Sequence, residues 1–179
     1  KSSFYIIFII ISLLIASNML VNSKGNKAFK IFGIMLLILG IGESFHLVPR
    51  ILEIFNQNIE NHESVINTGR FIASFSIIIV YLMIIWFGKI YYKMTLSKKV
   101  NYMLLGLGIT SFILNAVFKN SEDSLEIILR NIPMIVLASI TIFKLRIQAI
   151  SKPDQPFKLL WLVLLLALAL TFSLAGCKE

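Results

Sequence analysis

The sequence predicts an all-α fold, a polytopic membrane helical bundle, and three observations predict it. Of 179 residues, 58% are hydrophobic and 15% charged, against roughly 45–50% and about a quarter in soluble domains; the mean hydropathy is +0.86. The apolar residues gather into unbroken runs of about the 20 residues that a helix needs to cross a bilayer core. The basic residues are enriched in every second connection between those runs. A transmembrane barrel is not predicted, because its strands are about 10 residues long and alternate polar with apolar.

Six transmembrane helices are expected, over residues 4–21, 28–48, 71–91, 102–118, 127–143 and 157–176 of one membrane domain. The third is the cleanest, with no formal charge between Arg70 and Lys89. Only Lys1 precedes the first run and no small-residue cleavage pattern follows Val21, so it reads as a retained helix rather than a secretory signal. Pro49 removes a backbone donor and disfavours helical geometry at Val48, so the second helix is expected to end or kink there. A short interfacial helix is then expected near 50–57, with Ile51, Leu52, Ile54 and Phe55 on one side and Arg50, Glu53, Asn56 and Gln57 on the other. The polar stretch 56–67 is expected to be the main outer loop, and Pro133 to interrupt the fifth helix.

The charges set an orientation. Lys24, Lys27 and Lys30 follow the first run; Lys89, Lys93, Lys98 and Lys99 the third; Lys144, Arg146, Lys152 and Lys158 the fifth. The other connections hold Arg50, Arg70, Lys119 and Arg130 against Glu53, Glu60, Glu63, Glu122, Asp123 and Glu126. Short Lys/Arg-rich loops stay cytoplasmic, which predicts an N-out topology in a cytoplasmic membrane of bacterial type. The net charge of +8 is spent on this alternation, so no nucleic acid is expected as partner. A seventh helix after the sixth would make the chain N-out and C-in.

The most informative string is Gly40-Ile-Gly-Glu-Ser-Phe-His-Leu-Val-Pro-Arg50. Glu43, His46 and Arg50 stand at i, i+3 and i+7 and share a helical face. An ionisable residue inside a membrane helix costs about 2.5–3.5 kcal/mol on insertion scales, so it faces protein or water and often marks function. Three readings stand side by side: a packing pair with Arg50 reaching the headgroups, a proton-handling site of Glu43 and His46, and a metal site in which His62 joins them. The ligand set of the third is thin for zinc. No cofactor is indicated.

Other polar residues are expected at the same outer level. Arg70, with Ser74 and Ser76, opens the third helix; Ser111 and Asn115 lie near the outer end of the fourth; Glu126, Arg130 and Asn131 open the fifth. Taken singly, Arg70 reads as a headgroup contact, Glu126 with Arg130 as a local ion pair and Asn115 as an interhelical hydrogen bond. Taken together, Arg50, Arg70, Asn115 and Arg130 read as a binding set for an anionic amphiphile. Gly33, Gly40, Gly42, Gly106 and Gly108 are expected to permit close helix approach.

Two short resemblances carry nothing over. Residues 42–46 resemble the Ser/His signature of alkaline ceramidase and adiponectin-receptor-type membrane hydrolases, which hold zinc with three His and an Asp. Here Ser44 stands two residues before His46 rather than four, with no HxxxH pair and no Asp in a helix. Leu174-Ala-Gly-Cys177 resembles the lipobox of bacterial lipoprotein signals, which stand at chain N-termini. Cys177, the lone cysteine, leaves no internal disulfide.

The expected function is therefore a membrane protein with a polar pocket near the outer leaflet that binds, and in one version processes, a lipid or other anionic amphiphile. Enzymatic chemistry would use His46 as general base in acyl or phosphoester transfer, but no nucleophile accompanies it: Ser44 lies on another side of the helix. A small proton-coupled transporter with Glu43 as coupling carboxylate is the alternative, as is a non-catalytic partner or immunity subunit of an oligomer.

Overall fold

The computed structural model describes residues 2–55, 62–121, 123–151 and 159–165. Among these, every regular element is helical: α1 (Ser2–Val21), α2 (Lys27–Phe55), α3 (His62–Tyr91), α4 (Lys98–Val117) and α5 (Ser124–Ser151), with a further helical segment at 160–165. Four stretches are long and apolar enough to cross a membrane: Lys27–Pro49, Ser64–Tyr91, Lys98–Val117 and Leu125–Ser151. Within α1 the apolar stretch Ile9–Val21 is shorter. The sixth expected run, 157–176, and the Leu174–Cys177 string lie outside the described residues apart from 159–165.

The helix boundaries follow local hydrogen bonding. Asn26 Oδ1 accepts from the Ala28 and Phe29 N–H groups at 3.0 and 3.4 Å, Ser97 Oγ from Val100 at 3.3 Å, and Asp123 Oδ1 from Leu125 at 3.0 Å. Each cap satisfies donors that the first turn leaves orphaned. After α3 the chain turns at Lys93, φ 52°, and the Tyr92 and Met94 N–H groups both donate to Gly88 O, at 3.0 and 3.2 Å.

Several expected boundaries are corrected. α2 does not stop at Pro49 but runs through it to Phe55, so 50–55 belongs to α2 and is no separate interfacial helix. α3 begins at His62 rather than 71, which turns 62–67 of the expected loop into helix; 56–61 lie outside the described residues. α5 passes through Pro133 and continues to Ser151, so Lys144 and Arg146 are helical. At Pro49 the proline costs one backbone hydrogen bond, and the close approach of Gly69 covers the freed Phe45 carbonyl.

α3 is the central helix. It packs against α2, α4 and α5, while α1 packs on α2 and α5 on α4; no Cα of α2 comes within 8 Å of α4 or α5 among the described residues. Phe32 of α2 meets Phe87 of α3 at 6.0 Å, Phe87 stacks on Tyr91 at 5.2 Å, and Tyr91 meets Tyr92 edge-on at 5.0 Å. Gly88 lies against Leu145 of α5. These contacts bring the start of α2, the end of α3 and the end of α5 together, so Lys24 to Lys30, Lys89 to Lys99 and Lys144 with Arg146 occupy one end of the molecule. The most deeply buried side chains concentrate toward that end, with Phe87, Tyr92, Ile84 and Leu145 each at most 2% exposed. The outer surfaces of α1, α4 and α5 expose isoleucine, leucine and phenylalanine along their length, as helices facing lipid do.

The other end is held by the close approach of α2 and α3. A Cβ at Gly42 would overlap the Ser76 side chain, and one at Gly69 would overlap the carbonyl of Phe45 and come within 3.0 Å of His46 Cα. Phe45 is four residues before Pro49, so its carbonyl is the one that the proline deprives of an N–H. Gly69 seats its backbone on that orphaned oxygen, in a contact of Cα–H···O type worth about 0.5–1 kcal/mol. Four of the five expected glycines, Gly33, Gly40, Gly42 and Gly108, meet a neighbouring helix; Gly106 meets nothing within 4 Å.

Gly69→Ala and Gly42→Ala are each expected to cost about 1–3 kcal/mol, because backbone or a close side chain must move. Gly106→Ala, whose added Cβ meets nothing within 4 Å, is expected to raise stability by about 0.5–1 kcal/mol; thermal unfolding in detergent compares the three. Burial, and then Tyr91, push the Tyr92 phenol up to about 12. The unfolded chain releases that proton near 10, so this contribution to stability is whole below about pH 10 and lost as the pH rises through about 12. Tyr92→Phe is expected to flatten the alkaline fall in melting temperature over that interval.

Candidate functional site

The α2–α3 contact line separates two faces. Residues advance about 100° each around a helix. On α2, Gly42 turns to α3 and Gly40 to Leu13 of α1, and both Glu43 and His46 fall on the arc between them. On α3, Arg70 leaves the helix about 100° round from Gly69, on the same side of the contact line. Because Gly69 touches the backbone at Phe45 and His46, Arg70 emerges at the level of His46. Glu43, His46 and Arg70 are thus brought to one side and one end of the helix pair.

Glu43 and His46 are half-buried there; the His46 Nδ1 atom is shielded from solvent. Arg70 is exposed and its Nη1 donates to Asn67 Oδ1 at 3.2 Å. Arg50 lies one turn beyond His46 in the uninterrupted α2. A carboxyl group and an imidazole one turn apart can exchange a proton, and an arginine beside them supplies a permanent positive charge. Among the described residues no three of His, Cys, Asp or Glu gather into a group that could hold a metal ion.

The opposite face is apolar. Ser44, Phe45, Val48 and Pro49 of α2 and Ser64, Val65, Thr68, Gly69 and Ile72 of α3 line a groove of about 460 Å³. Two of its three hydroxyls are turned onto their own helices: Ser44 Oγ donates to Gly40 O at 2.6 Å and Thr68 Oγ1 to Ser64 O at 2.8 Å. Ser44 therefore lines the face away from His46.

Asn115 and Arg130 do not join Glu43 and His46, because α2 approaches neither α4 nor α5. Asn115 is buried and its Nδ2 donates to Ser111 O at 2.8 Å. Arg130 Nη1 donates to Phe118 O at 3.1 Å, placing a cation on the C-terminal carbonyls of α4, where the helix dipole favours one. The expected single polar layer is thus two sets, one on α2–α3 and one on α4–α5. Sequence reasoning missed Gly69, which fell between the expected loop, 56–67, and the expected third helix, 71–91. The signal was present as Gly69, Ala73 and Ser76 at i, i+4 and i+7, a stripe of small residues.

Comparison of the chain with family profiles, curated proteins and solved structures finds no match. Function is therefore read from geometry alone.

Arg130→Gln is expected to lower stability by about 1.5–3 kcal/mol, the usual range for a charged hydrogen bond. Lipid retention should be unaffected if the α4–α5 set is structural; native mass spectrometry alongside thermal unfolding reads both.

Proposed function

We propose that this is a multi-pass membrane protein whose α2–α3 polar face binds an anionic lipid, with Arg70 and Arg50 drawing the headgroup and Glu43 and His46 handling a proton beside it. The observation that carries the reading is the Gly69 contact, which sets Arg70 level with His46 on the side that also bears Glu43. An ionisable pair placed within an apolar helix is costly unless it faces protein, water or a polar ligand. Arginine suits a phosphate or carboxylate because it offers several N–H donors in a fixed plane.

The proposed topology has six crossings, with 4–21 and 157–176 as the first and last. The basic connections at one end of the molecule support a cytoplasmic position for that end, with the N-terminus and the Glu43 level outside. The proposed location is a bacterial-type cytoplasmic membrane. Dense aromatic packing at the basic end supports lipid binding over transport, since a carrier needs a polar path through both halves.

Native mass spectrometry of protein extracted from mixed phosphatidylglycerol and phosphatidylcholine vesicles tests the proposal. Arg70→Gln is expected to lower phosphatidylglycerol retention about fivefold or more, with phosphatidylcholine unchanged. A Glu43→Gln/His46→Ala double variant that melts like the parent and retains the same lipids would sink the reading.

A further inference from the structure

The opposite, basic end of the molecule carries a feature that the reading above does not use. The Arg146 guanidinium lies over the Trp161 ring, 5.3 Å from its centroid. Beside this pair runs a groove of about 170 Å³ lined by Ser139, Ile142, Phe143, Arg146, Trp161 and Leu165. Ser139, Ile142, Phe143 and Arg146 stand at i, i+3, i+4 and i+7 and form one stripe of α5. Arg146 and Ser139 are about 10 Å apart along the axis, so the groove leads from the basic end into the apolar middle.

We infer that this groove is a second lipid site, in which Arg146 holds the phosphate of an anionic phospholipid and the stripe toward Ser139 covers the start of an acyl chain. The cation–π contact with the indole holds the guanidinium over the ring and leaves N–H donors for a phosphate. Among the described residues that line the groove, Arg146 is the one ionisable residue, and Lys89, Lys93 and Lys144 lie at the same end, so the local charge favours an anion. Phe143 at 58% and Leu165 at 46% exposure need an apolar cover that a free phosphate does not provide. Tryptophan and arginine at a helix end are also the residue types that settle at a bilayer boundary.

The inference rests on the membrane reading but not on the Glu43 face, and the test separates them. Protein is reconstituted in vesicles of phosphatidylcholine with phosphatidylglycerol, and lipids retained after gentle extraction are counted by native mass spectrometry. Arg146→Gln and Trp161→Leu are each expected to weaken one of two phosphatidylglycerol sites about fivefold, the effect of one basic residue at a membrane surface, so the species carrying two phosphatidylglycerols falls and the singly loaded species persists. Phosphatidylcholine retention should not change, and Arg146→Lys should fall between parent and Arg146→Gln. Inorganic phosphate added in excess should displace none of the retained lipid. Parent-like retention by folded Arg146→Gln overturns the site, as does loss confined to Arg70→Gln or displacement by phosphate alone. A parent chain that stays out of the vesicles overturns the membrane reading itself.

Discussion

A carbonyl without its donor governs the upper half of this molecule. Pro49 cannot return a hydrogen bond to Phe45, and in apolar surroundings an orphaned carbonyl costs several kcal/mol. The helix keeps its course because Gly69 of α3 lies directly against that oxygen, where any side chain would hold the helices apart. The same contact lies where α2 and α3 continue together past the apolar run of each.

From that contact line two unlike faces follow. The side chains of Phe45, Val48, Val65 and Ile72 fall to one flank and make an apolar groove. Glu43, His46 and Arg70 fall to the other. Separation of this kind lets a pair of helices meet lipid on one side while keeping an ionisable set on the other. At the basic end the packing is of another kind: large rings, Phe32, Phe87, Tyr91 and Tyr92, interlock and leave the charge to the lysines outside them. Buried aromatic packing marks one end, and the half-buried Glu43 and His46 the other.

Much of this was legible in the chain. Long apolar runs and the alternation of basic with acidic connections are sums over neighbouring residues, and they do not depend on what touches what. The i, i+3 spacing of Glu43 and His46 likewise needs only the helical period. The placement of Ser44 on another side of α2 from His46 followed from the same period. Legibility ended where a local rule met a tertiary partner. Pro49 read as an end or kink and Pro133 as an interruption, because the rule for proline counts the lost hydrogen bond and not the tertiary surroundings. Asn115 and Arg130 read as members of the Glu43 layer, because depth along each helix can be estimated from sequence whereas helix adjacency cannot.

The sequence by itself determined a helical, membrane-compatible chain, the segregation of its charges by connection, and the shared face of Glu43 and His46. Each of these is set by composition or by the pitch of one helix. The tertiary structure alone decided that α3 is central, that α2 stays away from α4 and α5, and that Arg70 rather than Arg130 stands level with His46. Those outcomes depend on which surfaces are small enough to touch, and Gly69 marks the place where the difference of one methyl group settles it.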